Sequence, residues 1–423
     1  MSIENWVRKL ESLQPDKINL GLDRVASVAK NLNFAKPAPK IVTIAGTNGK
    51  GSTQCMLARI LEAAGYRVGV YSSPHLMRFN ERIQINAQQI SDADLCASLG
   101  RVDTATMGTT LTYFEFTTLA ALDYFAQADL DVLLLEVGLG GRLDAVNLMD
   151  ADVAVITTIA LDHQFWLGTD REQIGFEKAG IFRSGRPAVC GDIQAPQSVR
   201  RRAEEVGARL YSRAEQFDYQ ISGQGDDASV WQWQGMINDE TTRFTDLPLP
   251  HLNLADAATA LQVIALLGVE VDRDAIETGL RVARLPGRYQ RLQAQVPTIL
   301  DVAHNPEAVA YLASRLDLES VSGKKHALLG ILDDKDCEEI ISIMAPEIDS
   351  WTFCEPDVPR AKSAEELAKY LSRCHTPVSV CPDVAQALKG LYKTLQKNDL
   401  LVVFGSFYTV SEALQYLTTQ GIR

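Results

Sequence analysis

The chain has 423 residues, 46% hydrophobic and 22% charged, which is the balance of a globular protein too long for one ordinary core. Its formal net charge of −13 excludes the broad basic surface of a general nucleic-acid binder, and no run of about 18 apolar residues is present to span a membrane. None of the seven cysteines forms a Cys-x-x-Cys pair, which argues against a zinc site or redox dithiol and leaves free thiols, Cys374 beside His375 included.

The opening residues Met1 to Trp6 lack the basic start and apolar stretch of a secretory leader, so a cytoplasmic location is the expectation. Residues 41–45 read as a buried strand, followed by a glycine loop and a helix over 53–64. Short β-branched runs at 67–71, 132–137 and 153–159 alternate with helical spacing at 115–128 and 172–182. That alternation predicts a mostly parallel sheet with helices on both faces. Residues 208–246 differ, with short alternating stretches such as Val230-Trp231-Gln232-Trp233 that suit a small antiparallel excursion. Helical patterns at 254–267 and 273–283 lead to the turn Leu285-Pro286-Gly287-Arg288. From Thr298 a second alternation begins, with strands expected at 298–302, 326–332, 351–354, 378–381 and 400–404. The expected class is α/β. A P-loop-type, mostly parallel domain with its antiparallel excursion spans 1–287, a hinge 288–296, and a Rossmann-like α/β domain 297–423.

The segment Gly46-Thr47-Asn48-Gly49-Lys50-Gly51-Ser52 follows the first strand directly. Glycines let successive backbone N–H groups turn inward around phosphate oxygens, and the following helix adds its positive end. Lys50 would reach terminal phosphates, while Ser52 or Thr53 would bond a phosphate or lie near a metal. The standard P-loop wants glycine where this chain has Ile44, and serine or threonine where it has Gly51. A second cluster, Gly138-Leu139-Gly140-Gly141-Arg142, lacks the Gly-x-Gly-x-x-Gly spacing, and no convincing helix starts over 143–149. Both features argue against a dinucleotide-dependent dehydrogenase.

Glu136 ends a strand that is otherwise apolar, where a carboxylate is costly unless paired or metal-bound. Ser73 with His75, and His163, follow two other strands. Three strand ends thus deliver Ser73, Glu136 and His163 to one rim beside the phosphate loop, a donor set that suits magnesium or manganese. A lone histidine after a strand is also commonly a satisfied surface residue, and residues alone leave both readings open. By spacing, Lys178 is a solvated or ion-paired helical lysine.

Together these motifs resemble the Mur-ligase superfamily, in its folylpolyglutamate synthase branch. The likeness is carried by the loop Gly46–Ser52, by Tyr71-Ser72-Ser73-Pro74-His75-Leu76, and by Glu136-Val137-Gly138-Leu139-Gly140-Gly141-Arg142-Leu143-Asp144-Ala145. Leu161-Asp162-His163, Leu285-Pro286-Gly287-Arg288 and Asp301-Val302-Ala303-His304-Asn305-Pro306 extend it, from about Leu20 to Ser406. The resemblance implies ATP bound by Gly46, Thr47, Asn48, Gly49, Lys50, Gly51 and Ser52, with Asp256, Arg288 and Asp301. It implies magnesium, as two ions, on Ser73, Glu136 and His163, and a monovalent cation such as K+. Lys178 would be carbamylated, turning a cation into a carboxylate. Lys50, Lys178 and His304 would be catalytic, and His304 with Ser406 would hold the incoming glutamate. One departure stands out: Asp256 occupies a position that is usually asparagine in the family. Aspartate keeps an acceptor but loses the amide donor and adds charge, which leaves that contact open; Asn253, one turn earlier, is a candidate substitute.

The segments Leu20-Gly21-Leu22-Asp23-Arg24 and Leu111-Thr112-Tyr113-Phe114-Glu115 resemble the bifunctional bacterial members. By that analogy Leu20, Arg24, Thr112, Tyr113, Phe114, Glu115, Leu143, Asp144 and Ala145 line a pteroate or folate site. From the residues alone, the aromatic pair suits a flat heterocycle and the start of a core helix equally. The implied activity is an ATP-dependent amide ligase, a monomer acting on small molecules with no nucleic-acid or membrane partner. It would add L-glutamate to dihydropteroate and to tetrahydrofolate-type acceptors through an acyl phosphate. The alternatives are a monofunctional folylpolyglutamate synthase, a Mur-type ligase of cell-wall precursors, and a nucleotide-binding ATPase without ligase activity.

Overall fold

Aliphatic runs too short for helices become the central strands of the two larger of three sheets in the computed structural model. The structure describes residues 1–13, 21–222, 230–237, 240–372 and 376–422, so Leu20, Cys374 and His375 lie outside the described residues. The chain divides into two compact units, Met1–Arg284 and Leu285–Arg423. Among the described residues no helix is long and apolar enough to cross a membrane.

The first unit is built on β1 (Lys40–Ala45), β2 (Val68–Tyr71), β3 (Ile83–Ile85), β4 (Gln88–Gln89), β5 (Val132–Glu136), β6 (Val153–Ile156), β7 (Pro187–Cys190) and β8 (Arg209–Ser212). Their order is β4-β3-β2-β5-β1-β6-β7-β8. The hairpin β3–β4 adds to β2 antiparallel, and all other neighbours are parallel. The central strands are buried along nearly their whole length, as expected of strands covered on both faces. In register, Ile44 lies opposite Glu136, Tyr71 opposite Leu135, and Ala45 opposite Ile156. The four adjacent strands β2, β5, β1 and β6 therefore end almost level.

The helix after β1 runs Lys50–Ala63, starting three residues before the expected position 53. Gly49, at φ 85°, makes the turn by itself and frees Lys50, Gly51 and Ser52 to form the first helical turn. Helix Arg273–Val282 packs on this phosphate-loop helix through Gly279, where a Cβ would come within 2.5 Å of the Ile60 Cα. The antiparallel excursion expected over 208–246 is the sheet β11 (Glu240–Pro248), β10 (Val230–Ile237), β9 (Phe217–Ser222), while 209–212 instead form β8, parallel to β7 in the main sheet. Its buried Trp231 and Trp233 donate their indole N–H groups to the carbonyls of Pro248 and Ala258, at 2.9 and 3.1 Å.

The second unit contains β12 (Gln290–Gln293), β13 (Pro297–Asp301), β14 (Lys325–Leu329), β15 (Ser350–Phe353), β16 (Val378–Val380) and β17 (Leu400–Phe404). Their order is β12-β13-β17-β14-β15-β16, parallel except for β12. The segment 288–296, expected as a hinge, thus carries an edge strand antiparallel to β13.

Gly279→Ala forces a methyl against helix backbone that cannot move aside, so it should destabilise the first unit by about 1–3 kcal/mol. Urea unfolding followed by tryptophan fluorescence would register this as a lower midpoint.

Candidate active site

Level strand ends bring the loops after β2, β5, β1 and β6 onto one rim, where open α/β sheets bind ligands. The phosphate loop sits at the centre of that rim. A side chain at Gly46 would overlap the Thr157 hydroxyl, so the loop lies directly on the segment after β6. Thr47 N donates to Thr158 O at 2.7 Å, Ala160 N donates to Thr47 Oγ1 at 3.0 Å, and the Thr157 hydroxyl donates to Asn48 O at 2.5 Å. Lys50 Nζ curls back to the carbonyls of Gly46 and Thr47, at 3.1 and 3.2 Å. Buried Ser52 lies in the first helical turn, whose N–H groups have no partner within a helix and suit an anion.

Asp256 is buried in the first turn of helix Leu254–Leu267, and a Cβ on Gly49 would meet its carboxyl carbon at 3.0 Å. The aspartate therefore stands against the phosphate loop itself. Asn253 caps the same helix, its Oδ1 accepting from Ala255 N at 2.8 Å, which engages its oxygen.

Glu136, 5% exposed, accepts through Oε2 from Ser73 N at 3.1 Å, which joins the β5 and β2 ends. His163 reaches the rim on an exposed turn at φ 51°, as N-cap of helix Gln164–Leu167. Carboxylate, hydroxyl and imidazole are donors that magnesium or manganese accepts, so the residues present fit such an ion. Among the described residues no group of three His, Cys, Asp or Glu gathers as a self-sufficient cage. A cation here would complete its shell with ligand oxygens, as magnesium does beside nucleotides.

Spacing reads Lys178 as solvated, yet the structure buries it to 4% exposure in the last turn of helix Arg171–Ala179. The reason is tertiary. The glycine cluster folds over that turn, with Arg142 N donating to Glu177 O at 2.8 Å and the Arg142 guanidinium paired with Glu177 at 2.9 Å. An ammonium held there costs several kcal/mol unless it is compensated.

Thr112 caps helix Tyr113–Phe125 in a capping box: its Oγ1 accepts from Glu115 N at 3.2 Å, and Glu115 Oε2 accepts from Thr112 N at 2.8 Å. Glu115 Oε1 also pairs with Arg24 at 2.8 Å. The side chains of Thr112, Glu115 and Arg24 thus build a corner, from which the half-buried rings of Tyr113 and Phe114 project. Phe114 packs against Gly138, where a Cβ would lie 2.6 Å from the ring, and lies 5.9 Å from the Tyr71 ring centroid. Asp144 is buried between half-buried Leu143 and buried Ala145, and accepts from Leu139 N at 2.8 Å and Val146 N at 3.0 Å. Burial pushes its pKa up to about 7 against the pull of these N–H groups.

Sequence reading passed over one residue of this corner. Arg82 is buried, its Nε donates to His75 Nδ1 at 2.9 Å, and its guanidinium lies over the rings of Tyr113 and Phe79 at 5.3 and 5.5 Å. Burial, then the Arg82 charge, push His75 down to about 4. Nothing in the sequence marks Arg82 beyond its position just before the alternating run Ile83-Gln84-Ile85.

In the second unit β13 and β17 are neighbours, with Asp301 opposite Phe404, so the loops after them share an edge. Asp301 accepts from Tyr289 N at 2.7 Å and Ala303 N at 2.8 Å. Burial pushes its carboxyl above the usual range, opposed by the Arg288 charge. Arg288 and His304 both lie against the Phe407 ring, at 5.4 and 6.3 Å. His304 Nδ1 lies 2.8 Å from Val302 O; a carbonyl only accepts, so Nδ1 carries a proton. Buried Ser406 caps helix Phe407–Thr419 through Thr409 N at 3.0 Å. Arg288, Asp301, His304 and Ser406 are thus gathered at adjacent strand ends.

A phosphate loop on a parallel sheet and a separate α/β unit with its own polar rim are the parts of an ATP-driven ligase. Residues 44–243 match the Mur ligase middle domain, and residues 287–407 match the Mur ligase glutamate ligase domain. Over 416 residues the chain is 43% identical to the dihydrofolate synthase/folylpolyglutamate synthase of Escherichia coli (strain K12), spanning 98% of this chain and 95% of that protein. The solved structure of E. coli FolC in complex with DHPP and ADP superposes with a TM-score of 0.94 at 42% identity, covering 100% of this chain and 99% of that one. A bifunctional folylpolyglutamate synthase/dihydrofolate synthase with Mn, AMPPNP and L-glutamate bound gives 0.91 at 45% identity, covering 99% and 98%. The chain belongs to the Mur ligase family and, within it, to the dihydrofolate synthase/folylpolyglutamate synthase group, ATP-dependent ligases that form carbon–nitrogen bonds.

Asp144 gives a pH-dependent expectation. Its folded pKa of about 7 lies above the unfolded value of about 4, so between these limits the folded state holds the extra proton. Its contribution to stability therefore falls as pH rises through that window and levels off above it. The melting temperature of the wild type minus that of Asp144→Asn should fall from about pH 4 to about pH 7, and a flat difference would contradict the buried acid.

Proposed function

We propose that this chain joins the amine of L-glutamate to the carboxylate of dihydropteroate, and to a carboxylate of tetrahydrofolate-type acceptors, driven by ATP. The observation that carries this is the shared rim of the first unit. The phosphate loop, buried Glu136 and the aromatic corner Tyr113–Phe114 all stand at the ends of neighbouring strands. The complexes of relatives with DHPP and ADP, and with Mn, AMPPNP and L-glutamate, support the same choice of substrates.

In the proposed reaction the acceptor carboxylate attacks the γ-phosphorus of ATP and ADP leaves. The glutamate amine then attacks the acyl phosphate, phosphate departs, and an amide remains. Gly46–Ser52 cradle the phosphates, and Lys50 exchanges its loop carbonyls for phosphoryl oxygens, neutralising charge as it builds. Ser73, Glu136 and His163 would hold magnesium, as two ions, which when bound supplies further Lewis-acid neutralisation; a monovalent cation such as K+ belongs to the same reading. Asp256, against Gly49, offers the nucleotide an acceptor without the amide donor of an asparagine, with Arg288 and Asp301 as further ATP contacts. Carbamylation of Lys178 turns a buried cation into a carboxylate. Tyr113, Phe114, Leu143, Asp144 and Ala145 line the pteroate site, with Arg24, Thr112 and Glu115 holding its corner. Leu20 belongs to the same set by resemblance. In the second unit, His304 and Ser406 help to place the incoming glutamate. The protein acts as a cytoplasmic monomer on small molecules, with no nucleic-acid or membrane partner.

Mass spectrometry of products from purified protein, Mg-ATP and L-glutamate tests this, with dihydropteroate and tetrahydrofolate in separate tubes. One added glutamate in both tubes is expected. A gain in only one assigns that single activity, and ADP release without any gain overturns the ligase reading. Lys50→Ala should keep the wild-type melting temperature and lose turnover by at least about 100-fold. Wild-type turnover in that variant would remove the phosphate loop from the mechanism.

A further inference from the structure

Arg82 is a charged residue of the first unit whose burial neither an assigned role nor an ion pair among the described residues explains. It is 7% exposed, yet among the described residues no carboxylate pairs with it, and its one hydrogen bond to a side chain goes from Nε to the neutral His75 imidazole. The two terminal nitrogens of the guanidinium fork have no acceptor among the described residues, although neither is sealed from solvent. Stacking over Phe79 and Tyr113 recovers part of the desolvation, but a buried cation without a counter-charge remains expensive. Nearby arginines are treated otherwise: Arg24 pairs with Glu115 at 2.8 Å, and Arg101 pairs with Asp123 at 2.7 Å. A planar fork without a carboxylate partner among the described residues, its tips not sealed from solvent, suits bidentate capture of a carboxylate.

Its position narrows the ligand. On one side, through His75, Arg82 touches the turn that carries Ser73, whose N–H meets Glu136. On the other, it lies on the ring of Tyr113, beside Phe114 and the Thr112 corner. The guanidinium therefore stands between the residues proposed to hold the metal and those proposed to hold the aromatic acceptor. An acceptor lying on Tyr113 and Phe114 with its acid end toward Glu136 passes its carboxylate over Arg82.

We infer that Arg82 is the anchor for the acceptor carboxylate, holding it by a two-point ion pair while its reactive oxygen faces the phosphate loop. With dihydropteroate this is the aryl carboxylate that reacts. With a glutamylated folate it is a carboxylate of the terminal glutamate. The residue thereby selects acids over their neutral analogues. This rests on the acceptor reading of the first-unit rim given above.

The test compares binding of dihydropteroate and its carboxamide, by calorimetry in buffer holding neither nucleotide nor metal. AMPPNP binding is measured separately. Wild-type protein should prefer the acid by on the order of 100-fold, the effect of a desolvated charge pair. Arg82→Gln should abolish that preference and leave carboxamide and AMPPNP binding unchanged. Arg82→Lys, which keeps the charge without the fork, should retain part of it. Equal weakening of acid and amide would make Arg82 a packing residue, and weakened AMPPNP binding would make it a phosphate ligand; either overturns the inference. Absence of acid preference in the wild type overturns it without any variant, even if Arg82→Gln does not fold. Loss of the ligase reading is distinguishable: wild-type protein would then form no glutamylated product, whereas product formation with an Arg82→Gln preference intact removes only the anchor.

Discussion

The first unit depends on the clamp between the phosphate loop and the segment following β6. Thr47 and Asn48 are tied to Thr157, Thr158 and Ala160 through both backbone and hydroxyl groups, and Gly46 leaves no room for a side chain between them. This clamp presses two neighbouring strand ends together and fixes where the Lys50 helix begins. The same β6 segment continues to His163, so the loop that would hold phosphate and the turn that would offer a metal ligand are parts of one hydrogen-bonded assembly. Pre-set donors of this kind need no reorganisation when charge develops, which is where most of the rate gain in phosphoryl transfer arises.

Around the clamp the fold accepts an unusual burden of buried polar groups. Glu136, Asp144, Asp256, Lys178 and Arg82 are all less than about a tenth exposed. Each is costly on its own, and a chain selected for stability alone would replace several with aliphatic residues. Backbone N–H groups support Asp144 and Glu136, and aromatic faces support Arg82. The second unit repeats the device on a smaller scale, with Asp301 held by two N–H groups beside the Arg288 charge. Concentrating such groups at strand ends, while strand interiors stay aliphatic, separates what holds the protein together from what does its chemistry.

Local patterns are legible in this chain, and long-range packing is not. The central strands β1, β2, β5 and β6, the parallel strands of the second unit and the two-unit α/β organisation are readable because short β-branched runs are local signals, whereas β3, β4, β7, β8 and β12 are too short or too polar to stand out. Helix starts were less so: Gly49 absorbs a turn that composition alone assigns to three more residues. The true surroundings of Lys178 were invisible, because helical spacing describes its own helix and not the glycine cluster folded over it. Nor does spacing show that the side chains of Thr112 and Glu115 close a capping box around the two rings between them.

By itself the sequence determined the fold class, the central strands of each unit and the residue types available at their ends. All of these follow from short-range periodicity and from residue type. Only the tertiary structure decided which of those ends are neighbours, that Asp256 rests on Gly49, that Lys178 is buried, and that Arg82 is enclosed without a carboxylate partner among the described residues. Burial and pairing are set by residues distant in sequence, and no local pattern encodes them.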